Sequence, residues 1–121
     1  MERDPLLSLE DILDSIRLIE GYTAELTFEA FYADIQAQDA VHRRLQIIGE
    51  AVKNVPAAIR DRYANVPWKK IAGTRDILVH DYFGVDPKLT WSMVRDHLPP
   101  LRRQIEVALA ELKRAQSEHP E

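Results

Sequence analysis

The sequence predicts an all-α protein, an antiparallel bundle of four or five helices joined by short connections. Apolar residues recur at spacings of three and four along most of the 121 residues. Proline and capping residues divide the chain at helix-length intervals. No segment shows the two-residue alternation that marks a half-buried strand. The length fits one domain, which we predict over residues 1–115, followed by a flexible tail at 116–121.

The first half of the chain predicts two or three helices. Ser8 can cap the first helix and Gly21 can end it. Thr27 can cap a second segment that begins at Phe28, and this segment can either run directly into a long helix or stay separate from it. That long helix has a seam spaced alternately four and three, as in a helical bundle: Val41, Leu45, Ile48, Val52 and Val55.

Prolines organise the second half. Pro56 marks the end of the long helix or the start of a short segment, Ala57–Tyr63, and Pro67 fits the first turn of the next helix. Gly84 is a stop signal, and Asp86-Pro87 combines a capping carboxylate with proline at the first helical position. Pro99-Pro100 requires a kink or a restart before the last helix.

Two glycines, Gly49 and Gly73, lie inside predicted helices, where each costs roughly 1 kcal/mol relative to alanine. Close approach of a neighbouring helix is the expected compensation at both, and room for a ligand at the helix interface is the alternative. Trp68 and Trp91 have helical spacing that favours core positions over base stacking.

Composition excludes several classes of function. The chain has no cysteine, which excludes disulfides and thiolate metal sites. Its formal net charge of −4 is unsuitable for a general nucleic-acid coat, so any contact with RNA needs a locally basic cleft. No apolar run reaches the length of a membrane span and the N-terminus does not resemble a signal peptide, so we expect a cytoplasmic protein without a membrane partner.

One short run, Arg75-Asp76-Ile77-Leu78-Val79-His80-Asp81-Tyr82, concentrates reactive groups within about two helical turns. Arg75 can bind a phosphate through two hydrogen bonds, and His80 can carry a proton near neutral pH. Asp76 lies four residues before His80 and can pair with it. On spacing alone, an ordinary surface pair and a capping histidine explain the run more simply.

The remaining histidines are weaker candidates. His42 stands beside Arg43 and Arg44, which suggests a solvated basic face, and His97 precedes the proline pair, which suggests a structural role. No histidine or carboxylate cluster has the spacing of metal ligands. We therefore expect neither a metal nor a cofactor.

Three phrases together resemble the HepT-like branch of the HEPN domain family: Ile47-Ile48-Gly49-Glu50-Ala51, Val66-Pro67-Trp68-Lys69-Lys70-Ile71-Ala72-Gly73 and the run from Arg75 to Asp86. The likeness extends from the first helix to Leu112. It implies an all-helical bundle that dimerises with the motif lining a cleft. It also implies a metal-independent ribonuclease, the toxin of a toxin–antitoxin pair.

The resemblance also implies residue roles. Arg75 would hold the scissile phosphate, and His80 would transfer protons as the RNA 2′-hydroxyl attacks. Tyr82 would accept AMP from ATP, transferred by an MntA-like nucleotidyltransferase antitoxin. Asp76 stands where the family often has asparagine; it could orient His80 but would repel a phosphate.

Basic residues could form an RNA track within this implied cleft, although solvated helix faces explain such residues equally simply: Arg43, Arg44, Lys53, Lys69 and Lys70. Two other functions are open. The chain could be a non-catalytic helical subunit that docks a minimal nucleotidyltransferase, or a purely structural dimer with a vestigial motif.

Overall fold

A computed structural model of the chain describes residues 4–73 and 86–118. Those residues are mostly helical and contain no strand, which confirms the all-α prediction. In chain order the helices are α1 (Pro5–Thr23), α2 (Phe28–Ala33), α3 (Ile35–Lys53), α4 (Ala57–Arg62), α5 (residues 68–73), α6 (Pro87–Ser92) and α7 (Leu98–Glu118), with a π-helical turn (Met93–His97) between the last two.

Helix α1 begins earlier and ends later than predicted. Asp4 caps it, because its Oδ1 accepts a hydrogen bond from the backbone N–H of Leu6 at 2.9 Å, and Pro5 then occupies the first helical position. This pair is a stronger start signal than Ser8, which is buried inside the helix, so the cap predicted at Ser8 is wrong. Gly21 is also internal, since the helix continues to Thr23.

Helices α2 and α3 are separate, although the sequence also allowed one continuous helix. Thr27 caps α2 as expected, with its Oγ1 accepting from the N–H of Ala30 at 3.1 Å. The backbone then becomes extended at Asp34, whose Oδ1 accepts from the N–H of Ala37 at 3.0 Å and caps α3. Gln38 donates to the carbonyls of Phe31 and Tyr32, both at 2.9 Å. These side-chain hydrogen bonds compensate for the backbone bonds lost at the break.

The core forms where α1 packs against both α3 and α7. The predicted α3 seam is confirmed, because Val41, Leu45, Ile48, Val52 and Val55 are all buried. The buried face of α1 is built from residues with no exposed surface: Leu9, Ile12, Ile16 and Ile19. Each such aliphatic side chain contributes about 1.5–3 kcal/mol by leaving water. Exposed ion pairs at the α1–α7 border, such as Lys113–Glu10 at 3.0 Å, contribute little.

The proline pair produces a π-helical turn instead of a break. Pro99 and Pro100 have no N–H to donate to the carbonyls one turn earlier. The turn widens, and the N–H of Leu98 donates to the carbonyl of Met93. Arg95, within this turn, donates to the carbonyls of Thr23 at 3.1 Å and Leu26 at 2.8 Å and so caps the end of α1.

Other helix boundaries agree with the sequence. α4 follows Pro56, and Asp86 caps α6 by accepting from the N–H of Lys88 at 2.9 Å. α7 extends through Glu118, three residues into the segment predicted as a tail. The stop predicted at Gly84 lies outside the described residues. No helix among the described residues is long and apolar enough to span a bilayer.

The two helical glycines differ. Gly49 is buried on α3, as close packing requires. A β-carbon added at Gly73 would meet no atom within 4 Å in the described part of the chain. Close packing among those residues therefore does not explain Gly73.

Candidate functional site

The predicted catalytic and acceptor residues, Arg75, Asp76, His80 and Tyr82, lie outside the described residues, so their roles stay predictions. The structure describes the helices on either side of this segment. α5 precedes the segment, and the described residues stop at residue 73. They resume at Asp86, which caps α6. How these two helices are held in the bundle determines where the candidate segment begins and ends.

The turn that precedes α5 is hydrogen-bonded to α7. Trp68 is 7% exposed, and its Nε1 donates to the carbonyl of Tyr63 at 3.0 Å, which confirms a core position for this tryptophan. The Tyr63 hydroxyl donates to Glu111 Oε1 at 2.6 Å. Burial and this carboxylate raise the pKa of Tyr63, so the phenol keeps its proton and its hydrogen bond at neutral pH. Gln104 donates to the carbonyl of Asn65 at 3.3 Å.

Helix α6 is fixed to α2 and α3. Thr90 is only 3% exposed, and its hydroxyl lies 3.1 Å from Nε2 of His42 on α3. The half-buried ring of Trp91 packs 5.1 Å from Phe31 and 6.4 Å from Phe28, centroid to centroid, which favours the core role over base stacking. The prediction that His42 belongs to a solvated face is therefore wrong. Burial lowers the pKa of His42, and the nearby carboxylate of Asp39 partly opposes that effect.

Acidification is expected to destabilise the protein through His42. The unfolded chain takes up a proton near the ordinary pKa of 6.5, whereas burial lowers the pKa of His42 in the folded state. The stabilisation is complete above pH 6.5 and is lost as the pH falls from there toward the lowered pKa. Urea midpoints measured across this window should fall more steeply for wild type than for His42→Gln. A difference between the two proteins that does not change with pH would contradict this assignment.

A groove of about 510 Å³ lies between α3, α5, α6 and α7. Most of its described lining is apolar: Leu45, Ile48, Ile71, Leu89, Met93 and Leu98. Its polar lining comes from Lys70, Ser92, His97 and Gln104, which can supply hydrogen bonds and positive charge. Its size and composition fall within the range of ligand sites. Among the described residues, no three His, Asp or Glu side chains are grouped to hold a metal ion.

The five predicted RNA-binding residues lie on two helices, with Arg43, Arg44 and Lys53 on α3 and the other two on α5. Arg43 is exposed and Arg44 is half-buried, and adjacent helical residues project about 100° apart. Lys69 and Lys70 are exposed on α5. Of the five, only Lys70 lines the groove. The groove and the His42–Thr90 contact each join residues that are distant in the sequence, so no local motif could have identified them. The π-helical turn had one local signal, the proline pair.

Comparison with known proteins agrees with the fold. The family model described as ribonuclease HepT-like matches residues 12–108, which include the candidate segment. A Methanocaldococcus jannaschii protein, whose name pairs a gamma-glutamylcyclotransferase with a candidate RNase, is 46% identical over 112 residues. That match covers 93% of this chain and 50% of the relative, so the chain spans half the length of that protein.

Two further relatives match over nearly their full length. The "Probable ribonuclease HepT" of Thermococcus cleftensis is 43% identical over 106 residues, covering 88% of this chain and 96% of the relative. A candidate RNase of Caldanaerobacter subterraneus is 39% identical over 111 residues, covering 92% and 99%. No solved structure matches the chain at a significant level. The length and identity of these matches show that the chain belongs to the HepT-like ribonuclease family.

Proposed function

We propose that this protein is a metal-independent endoribonuclease that cleaves RNA through Arg75 and His80. The observation that carries the proposal is the family match over residues 12–108, which spans the complete Arg75-to-Tyr82 phrase. Relatives that match nearly end to end carry ribonuclease names. Support also comes from the described helices before and after the phrase, since hydrogen bonds at Trp68 and Thr90 tie them to the rest of the bundle.

The reaction needs only the RNA and two kinds of side chain. Arg75 neutralises the scissile phosphate and His80 accepts the proton of the neighbouring 2′-hydroxyl. The 2′-oxygen attacks phosphorus, the bond from phosphorus to the 5′-oxygen breaks, and that oxygen receives a proton. The products are a 2′,3′-cyclic phosphate and a 5′-hydroxyl. Asp76 orients the imidazole of His80 at the cost of some repulsion toward the phosphate.

Assembly as a homodimer completes this mechanism. Two copies related by a two-fold axis would bring two His80 side chains to one cleft, one acting as base and the other as acid. We also propose that the protein is the toxin of a toxin–antitoxin pair, which is the role that the resemblance to the HepT-like branch implies.

Control of the toxin would come from an MntA-like nucleotidyltransferase. The Tyr82 phenol would lose its proton as its oxygen bonds to the α-phosphorus of ATP, and the bond from that phosphorus to the oxygen that bridges to the β-phosphorus would break, so that pyrophosphate leaves. The attached AMP adds bulk and negative charge next to the phosphate site, which disfavours RNA binding.

The chemistry of the cut ends tests this function. The partner-free protein is expected to leave 2′,3′-cyclic phosphate ends on an RNA oligonucleotide and to leave a matched 2′-O-methyl oligonucleotide intact, because the methyl group removes the nucleophile. Product ends can be identified by mass spectrometry in buffer containing a chelator. Cleavage of the 2′-O-methyl substrate, or products with 3′-hydroxyl ends, would contradict the mechanism.

A non-catalytic subunit that docks a nucleotidyltransferase is the second candidate. Asp76 beside Arg75 and the formal net charge of −4 favour it, because both oppose phosphate binding. Such a subunit would bind the nucleotidyltransferase and leave RNA intact.

A further inference from the structure

The turn between α4 and α5 carries exposed basic side chains that the proposed mechanism does not use. Residues 57–70 contain four basic residues and a single acidic one, Asp61. The basic residues are all exposed: Arg60, Arg62, Lys69 and Lys70. Arg60 and Arg62 belong to no recognised motif.

Backbone and side-chain hydrogen bonds close this turn tightly. The carbonyl of Tyr63 accepts from the N–H of Val66 and from Nε1 of Trp68, both at 3.0 Å. Arg62 directly precedes Tyr63, and Lys69 directly follows Trp68. The Tyr63–Trp68 hydrogen bond therefore ties the residue that follows Arg62 to the residue that precedes Lys69.

The Arg62 guanidinium lies 5.3 Å from the centre of the Tyr63 ring, and that ring is held by its hydrogen bond to Glu111. Arg62 is thus positioned by an aromatic face, which leaves its N–H groups available. Within the described residues, no ion pair engages Arg60, Arg62 or Lys69, whereas Arg17, Arg102 and Lys113 are all paired with glutamates along α1 and α7.

Charge is distributed unevenly over the described chain. Residues 4–39, which contain α1 and α2, hold nine acidic side chains and one basic one, Arg17. A polyanion is therefore repelled from that part of the molecule and attracted to the turn between α4 and α5. The acidic total charge is compatible with a local site for phosphate groups.

We infer that the turn between α4 and α5 binds the phosphate backbone of RNA, with Arg62 and Lys69 as phosphate contacts. The inference rests on the proposed function for the identity of the ligand. Lys69 precedes Arg75 by only a few residues in the sequence, so the proposed RNA contacts and the proposed catalytic residues are neighbours along the chain. These contacts are independent of base identity, because they reach only phosphate.

The test is the salt dependence of RNA binding. Fluorescence anisotropy with a 2′-O-methyl oligonucleotide, which the proposed chemistry cannot cut, isolates binding from cleavage. Loss of two phosphate contacts in the double variant Arg62→Gln/Lys69→Gln should lower the slope of log K against log salt by about 1.4 and weaken binding about 25-fold at roughly 0.1 M salt. Arg62→Lys keeps the charge and should keep the slope.

The matched control removes two positive charges elsewhere. The double variant Arg17→Gln/Lys113→Gln deletes two basic residues held in exposed ion pairs and should bind with the wild-type slope. A wild-type slope in the turn variant, or an equal loss in the control, would overturn the inference. If wild type binds RNA through the turn but leaves ordinary RNA intact, the proposed ribonuclease function fails while this inference stands.

Discussion

Replacing His80 by alanine is expected to reduce the rate of RNA cleavage by about 10²–10⁴-fold, the usual contribution of a positioned general acid or base. The loss follows from the mechanism, because no other group in the Arg75-to-Tyr82 phrase exchanges a proton readily near neutral pH. Single-turnover cleavage of end-labelled RNA measures the effect directly.

Controls separate loss of chemistry from loss of fold. The affinity of His80→Ala for the uncut 2′-O-methyl oligonucleotide should stay near that of wild type, since Arg75 and the basic turn supply the phosphate contacts. Lys113→Gln, which removes an exposed charge of α7 away from the groove, should cleave at the wild-type rate. Wild-type cleavage by His80→Ala would remove His80 from the catalytic mechanism.

Replacing Phe31 by alanine is expected to destabilise the fold by about 3–5 kcal/mol. The ring has no exposed surface and packs 5.1 Å from Trp91, so its loss leaves a cavity between α2 and α6. A small domain has a total stability of about 5–15 kcal/mol, so this substitution removes a large share of it. Urea unfolding followed by circular dichroism gives the change in the free energy of unfolding.

The neighbouring residue provides the control. Tyr32 lies on the same six-residue helix but is 61% exposed, so Tyr32→Ala should change the stability by less than about 0.5 kcal/mol. Equal urea midpoints for the two variants would show that α2 does not depend on its buried face, contrary to the packing described above.

The sequence predicts the helical framework well where local signals suffice. The α3 seam, the cap at Thr27 and the start of α6 at Asp86-Pro87 depend on residues within one or two turns, and the structure agrees with each. The cap predicted at Ser8 failed because Asp4-Pro5 is a stronger competing signal. The sequence does not decide the break at Asp34, because the Gln38 side chain that satisfies the end of α2 gives no periodic signal.

The candidate site shows the same division. The phrase from Arg75 to Tyr82 is visible in the sequence because its residues are adjacent. The hydrogen bonds that hold the flanking helices are not visible in the sequence, because His42 and Thr90, like Tyr63 and Glu111, are 48 residues apart. Only the folded chain brings such partners together, which is why sequence reasoning placed His42 on a solvated face.

Cleavage of end-labelled RNA by the partner-free protein in EDTA tests the central claim most directly. Mass spectrometry should first show that Tyr82 carries no adenylyl group, so that a modified and silenced protein is not taken for an inactive one. The proposed function predicts cut RNA despite the chelator, because Arg75 and His80 need no metal. Intact RNA with unmodified Tyr82 would contradict it and would favour the helical subunit that docks a nucleotidyltransferase.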